Sequence, residues 1–266
     1  MWSLAMALCA TLALGADAPQ QIDQLARARQ LYNARQFDQA IAAATEARKL
    51  PKTADAAAVV LARALLERHR QAMAPEDLAA ARDALKQTDV SKLSARDHVE
   101  HEIGLGESLY FEGHYSAAAE TFELALSSRD SPDGDARDRL FEWWAGSLEQ
   151  QAQFGPDADR RPLYARILER ASLELALNDR SAVATYWLAA AARGAEDISR
   201  AWGAAISGWI RAASLPDRGA ALRADLDRLV MQVILPERAR RLAPNDPGSA
   251  LPALRQEWEK IKKDWE

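Results

Sequence analysis

The sequence predicts an all-α fold, and three observations carry that prediction. From Gln20 onward apolar residues recur three and four positions apart, and no segment sustains the strict alternation of a half-buried strand. Of 266 residues only 12 are Gly and 11 Pro, while 48% are hydrophobic and 27% charged, which suits amphipathic helices with few breaks. One block also occurs twice: Leu31-Tyr32, Phe37, Ala40 and Ala47, then Leu109-Tyr110, Tyr115, Ala118 and Ala125. The copies lie 78 residues apart, two periods of about 39, a spacing typical of stacked repeats.

The first element, Trp2 to Leu14, is an uncharged apolar run followed by the small residues Gly15 and Ala16. This is the pattern of a signal peptide over 1–15, cleaved near Gly15, and it predicts a periplasmic or exported protein. The run is too short to span a membrane, which takes about 20 apolar residues. No Lys or Arg precedes it, so a buried N-terminal helix stands as the alternative. Cys9, the only cysteine, lies inside the run, and its loss would leave neither disulfides nor thiolate metal sites. Lipid attachment at Cys9 calls for a small preceding residue, and Leu8 is not small.

Three helical hairpins follow. The first covers 20–34 and 37–49 and closes at Leu50-Pro51, because the residue before a proline is pushed out of the helical region. The second covers 53–68 and 75–86. The third covers 94–112 and 115–128, with Gly113 in its turn and a break at Asp130 to Gly134.

In the third hairpin Leu105-Gly106, Leu109-Tyr110, Gly113, Tyr115, Ala118, Phe122, Ala125 and Leu126 fall in the order and spacing of the tetratricopeptide repeat, and the chain resembles that family there. Gly106 and Ala118 are small where two helices approach closely, and Tyr115 and Phe122 are large where the next hairpin must be met. The first hairpin has Ala28 in place of Gly106. The second aligns through Leu61-Ala62, Leu65, Leu78 and Ala81 across a longer loop from His69 to Ala74. The resemblance implies tetratricopeptide-like repeats over 18–130, a helical-hairpin solenoid, and a groove lined by the first helix of each pair. On that basis Tyr32, Asn33, Arg63, Glu67, Glu107, Tyr110 and Phe111 are expected to face a protein or peptide partner, with Asn33 and Glu107 as exposed polar positions.

The second half, 131–266, keeps the helical pattern without the repeat signature, as degenerate hairpins or a capping bundle would. Helices are expected at 135–152, 161–176, 179–195, 198–215, 218–235, 237–243 and 252–265. Trp202, Ile206, Trp209 and Ile210 share one helix face, and Trp143, Trp144 and Trp187 sit on the helices before it. They form either a core or an aromatic cavity for an apolar ligand. Leu254, Trp258, Ile261 and Trp265 make a stripe that docks the last helix. The run from Tyr186 to Gly194 resembles a helix of the periplasmic T-component of tripartite transporters, which implies an alternative role as a transporter accessory; that family's lipoprotein cysteine has no counterpart here.

A net charge of −5 with interspersed signs argues against a nucleic-acid surface. The charged stretch from Asp217 to Arg241 is either a solvated helix face with local ion pairs or an arginine patch for an anion. His98, His101 and Glu102 share a helix face, but their order fits neither orientation of the zinc-protease motif. Gly104-Leu105-Gly106-Glu107-Ser108 lacks the third glycine of a phosphate loop and has its serine misplaced for a nucleophile elbow. Asp225 and Asp227, two apart, point to different helix faces. The expectation is therefore a non-enzymatic binding protein with no cofactor.

Overall fold

The computed structural model describes residues 23–265, so the predicted signal segment and Cys9 lie outside the described residues. Among those residues the chain is helical, with no strand. Five hairpins come first: α1 (Gln24–Asn33) with α2 (Phe37–Ala47), α3 (Ala54–Ala72) with α4 (Pro75–Gln87), α5 (Ala95–Phe111) with α6 (Tyr115–Ser127), α7 (Gly134–Phe154) with α8 (Asp157–Leu177), and α9 (Ala182–Gly194) with α10 (Ile198–Ala212). A sixth pair sets a continuous rod against α13 (Pro247–Asp264); the rod is α11 (Ala220–Leu229) and α12 (Leu235–Leu242), joined by a π turn at Val230–Ile234. Odd-numbered helices also touch in succession from α1 through α11. They form one row, with the even-numbered helices packed outside it.

Helix starts follow capping chemistry. The Asp23 side chain accepts from the amides of Leu25 and Ala26, Ser94 from Asp97, Ser181 from Ala184 and Asp197 from Arg200. The turns of the two sequence copies are identical in hydrogen bonding. The Arg35 amide donates to the Tyr32 carbonyl and Gln36 to Leu31; Gly113 donates to Tyr110 and His114 to Leu109. The left-handed residue is Gly113 at φ 80° in one and Arg35 at φ 58° in the other.

A third copy of this turn joins α9 to α10, where Glu196 donates to Arg193 and Asp197 to Ala192, with Glu196 at φ 66°. Its hairpin carries Ala189, Ala201 and Ala205 where the third hairpin has Gly106, Ala118 and Phe122, and all three alanines are fully buried. The same turn geometry therefore recurs in the half whose sequence lost the signature. The usual large residues there are alanines and Ile198, so the spacing survives while the identities do not.

Several boundaries differ from expectation, among them the end of α3, which runs to Ala72 and takes in most of the loop expected from His69 to Ala74. Pro236 does not break the chain, because the π turn before it shifts the hydrogen-bond register and absorbs the missing donor. Helices α8 and α13 start earlier than predicted and contain Pro162 and Pro252 as their sixth residues. A proline so close to the start removes only one bond of a ladder that has just begun. A short 3₁₀ turn at Val90–Lys92, capped by Asp89, was not predicted.

Buried side chains fall into two clusters, one from Leu25 to Leu85 and one from Val99 to Trp258. In the third hairpin the close approach is filled by an aromatic ring. A Cβ added to Gly106 would lie 2.6 Å from Phe122 Cε1, and Phe122 stacks on Trp143 of α7 with centroids 6.2 Å apart. Tyr115 stacks on Phe154, also of α7. Both large residues thus reach the next hairpin, as the size pattern predicted.

Candidate functional site

A cavity of about 440 Å³ opens along the row of odd-numbered helices, between α1, α3, α5 and α7. Tyr32 and Asn33 end α1, Arg63 and Glu67 lie on α3, Glu107 lies on α5, and all five line it. A smaller recess of about 50 Å³ shares Tyr32, Asn33 and Arg63. Tyr110 and Phe111 do not line the cavity. They pack against Trp143, at centroid distances of 5.0 and 5.5 Å, and it is Trp143 that faces the opening.

Residues not expected in the groove add to the wall, among them the loop from Asp130 to Asp133. Arg96, Glu100 and Ile103 precede Glu107 at helical spacing on α5, and Ala136, Arg139, Leu140 and Trp143 repeat the pattern on α7. The spacing from Glu107 backward was visible in the sequence. The contribution of α7 was not, because it depends on how the third and fourth hairpins stack.

At the centre is Arg63, whose side chain is 11% exposed. It donates to Glu100 at 2.7 Å and to the Tyr32 hydroxyl at 3.0 Å, and its guanidinium lies 5.7 Å from the Tyr32 ring centre. Arg63 Nε is 3.2 Å from Glu107 Oε2, within ion-pair distance but not aligned for a hydrogen bond, and neither atom has another partner. Glu107 is therefore buried, with only 3% of its side chain exposed, which corrects the expectation of an exposed groove residue. Its position on α5 turns it toward α3, into contact with Arg63.

Burial raises the Glu107 carboxyl to about 7, with the neighbouring charge of Arg63 opposing and those of Glu67 and Glu100 adding. Burial likewise lifts the Tyr32 hydroxyl to about 12. Burial works against the Arg63 cation, but the surrounding carboxylates outweigh it and hold its pKa above the usual arginine value.

The remaining candidates disperse. His98 faces Glu102, while His101 Nε2 lies 3.3 Å from the Leu85 carbonyl oxygen. Trp258 is fully buried between Trp202 and Trp209, and Arg238 and Arg223 sit over the two outer rings at 4.2 and 4.8 Å. Trp265, at the helix end, is 53% exposed and stands outside the stripe it was assigned to. Charges from Asp217 to Arg241 pair across helices more than within one: Arg238 with Glu257, Asp227 with Lys262, and Glu237 with Arg193. No described helix is long and apolar enough to cross a membrane. Comparison with protein-family models, with curated proteins and with solved structures finds no match to this chain.

Proposed function

We propose that this chain is an exported, non-enzymatic scaffold of the tetratricopeptide type that holds a segment of a protein partner along its odd-numbered helices. One observation carries the proposal: five residues chosen from the sequence as groove residues, Tyr32, Asn33, Arg63, Glu67 and Glu107, line a single cavity. Its lining mixes aromatic, aliphatic and charged groups, the combination that gives contact area together with directed hydrogen bonds. Trp202, Trp209 and Trp258 pack on one another with arginines over the two outer rings, which favours the groove over a ligand held among them. The transporter-accessory alternative needs an apolar ligand in that second half.

The test is site-specific photo-cross-linking in cells. A benzoylphenylalanine at Asn33 should capture a partner protein, while one at Leu177, 71% exposed at the end of α8, should not. Equal capture at both positions, or capture at Leu177 alone, would remove the proposal.

A further inference from the structure

Five carboxylates line the cavity, Asp130 and Asp133 among them, against three arginines, so its lining is net negative. Three carboxylates, Glu67, Glu100 and Glu107, surround Arg63, and Arg63 directs its aligned hydrogen bonds to Glu100 and Tyr32. Glu67 pairs instead with Arg70, at 2.7 Å. Glu107 is buried on the cavity wall, its Oε2 3.2 Å from Arg63 Nε but without an aligned hydrogen bond. A carboxylate in this position is costly to the free protein and is stabilised by any cation that reaches it.

Building on the proposed groove, we infer that the partner segment inserts a lysine or arginine side chain into this cavity, its cationic head meeting Glu107 and Glu67 and its apolar stem lying along Val99, Ile103 and Trp143. The aliphatic and aromatic side chains beside the carboxylates suit a long side chain with an apolar stem. Trp143 adds an aromatic ring beside the acidic group. Arg96 and Arg139, also on the lining, are exposed and have no ion pair among the described residues. Solvent screens their repulsion of the incoming cation. Their forked donors suit the backbone carbonyls or acidic neighbours that flank the basic residue. Burial, with Glu67 and Glu100 adding, raises the Glu107 pKa, and an incoming cation would favour its charged form.

The experiment selects nine-residue peptides from a random display library on the whole mature chain and measures the winners by calorimetry. Winners should share a Lys or Arg at one position, and its replacement by norleucine should weaken binding by at least about tenfold. Glu107→Gln and Glu67→Gln should each weaken the basic peptide and leave the norleucine peptide unchanged. Circular dichroism checks that both variants fold, and Glu67→Gln serves if Glu107→Gln does not. Winners without a basic residue, or acidic winners that depend on Arg96 and Arg139, overturn the inference while leaving the groove in place. If no peptide is selected, the same variants are carried into Asn33 cross-linking, where capture unchanged by both overturns the inference. Absence of both peptides and capture at Asn33 overturns the groove itself.

Discussion

The ring of Phe122 lies so close to the backbone of Gly106 that a Cβ at position 106 would sit 2.6 Å from it. Phe122 is fully buried and stacked on Trp143, which limits its retreat. Gly106→Ala should therefore destabilise the fold by about 1–3 kcal/mol. Gly203→Ala, on an exposed face of α10 with nothing within 4 Å of the added carbon, should be neutral or stabilising by up to about 1 kcal/mol. Urea denaturation of the pair checks both.

Ala118 and Ala201 are buried at matching places in two hairpins. If the α9–α10 pair is a true third copy, Ala118→Leu and Ala201→Leu should each cost about 1–3 kcal/mol by overpacking the same kind of contact. A thermal melt in which Ala201→Leu is neutral would separate the last hairpin from the repeat.

The turn residue supplies a further comparison. Arg35 holds the left-handed conformation that Gly113 adopts without a Cβ. Arg35→Gly should stabilise by about 0.5 kcal/mol, and Gly113→Ala should destabilise by about 1 kcal/mol. Chemical denaturation is sensitive enough to see the two signs.

Two glutamates should give opposite pH dependence. Glu107, facing Arg63, Arg70, Glu67, Glu100 and Tyr32, has a folded pKa raised from 4.5 to about 7. The folded state keeps a proton that the unfolded chain releases, so its contribution to stability falls as pH rises from about 4.5 to about 7. Glu107→Gln should flatten that slope in pH-dependent denaturation curves.

Glu174 is the reverse case. Its burial is outweighed by hydrogen bonds from Arg137 and Arg170, and its pKa is lowered from 4.5. Its contribution is present above the ordinary carboxylate value and is lost as acid protonates it. Glu174→Ala leaves Arg137 without its carboxylate partner and should cost about 3–5 kcal/mol, read as a fall in urea midpoint relative to the unaltered chain that is larger at neutral pH than at pH 3.

Much of the fold was legible in one dimension because helices depend on local periodicity. The three- and four-residue spacing located the helical segments, the repeated block found the first and third hairpins, and Gly113 marked its turn. Residue size, read within the tetratricopeptide resemblance, predicted that Phe122 and Tyr115 would reach the next hairpin. Five of the cavity residues were chosen from their place on the first helix of each pair.

Tertiary structure decided what no local pattern encodes. Pro236 reads as a stop, yet the π turn before it lets the rod continue, since register can shift where packing holds both ends. The likeness of the α9–α10 hairpin to the third hairpin rests on Ala189, Ala201 and Ala205, residues too common to signal anything until their burial and the Glu196 turn are seen. Glu107 looks like a surface carboxylate on a helix, and only the stacking of α5 on α3 makes it a buried partner of Arg63. Trp143, on a helix outside the recognised repeats, becomes a wall of the cavity through the same stacking. Periodicity fixes which residues share a helix face; which faces meet depends on contacts between hairpins, and there the charge and shape of the site arise.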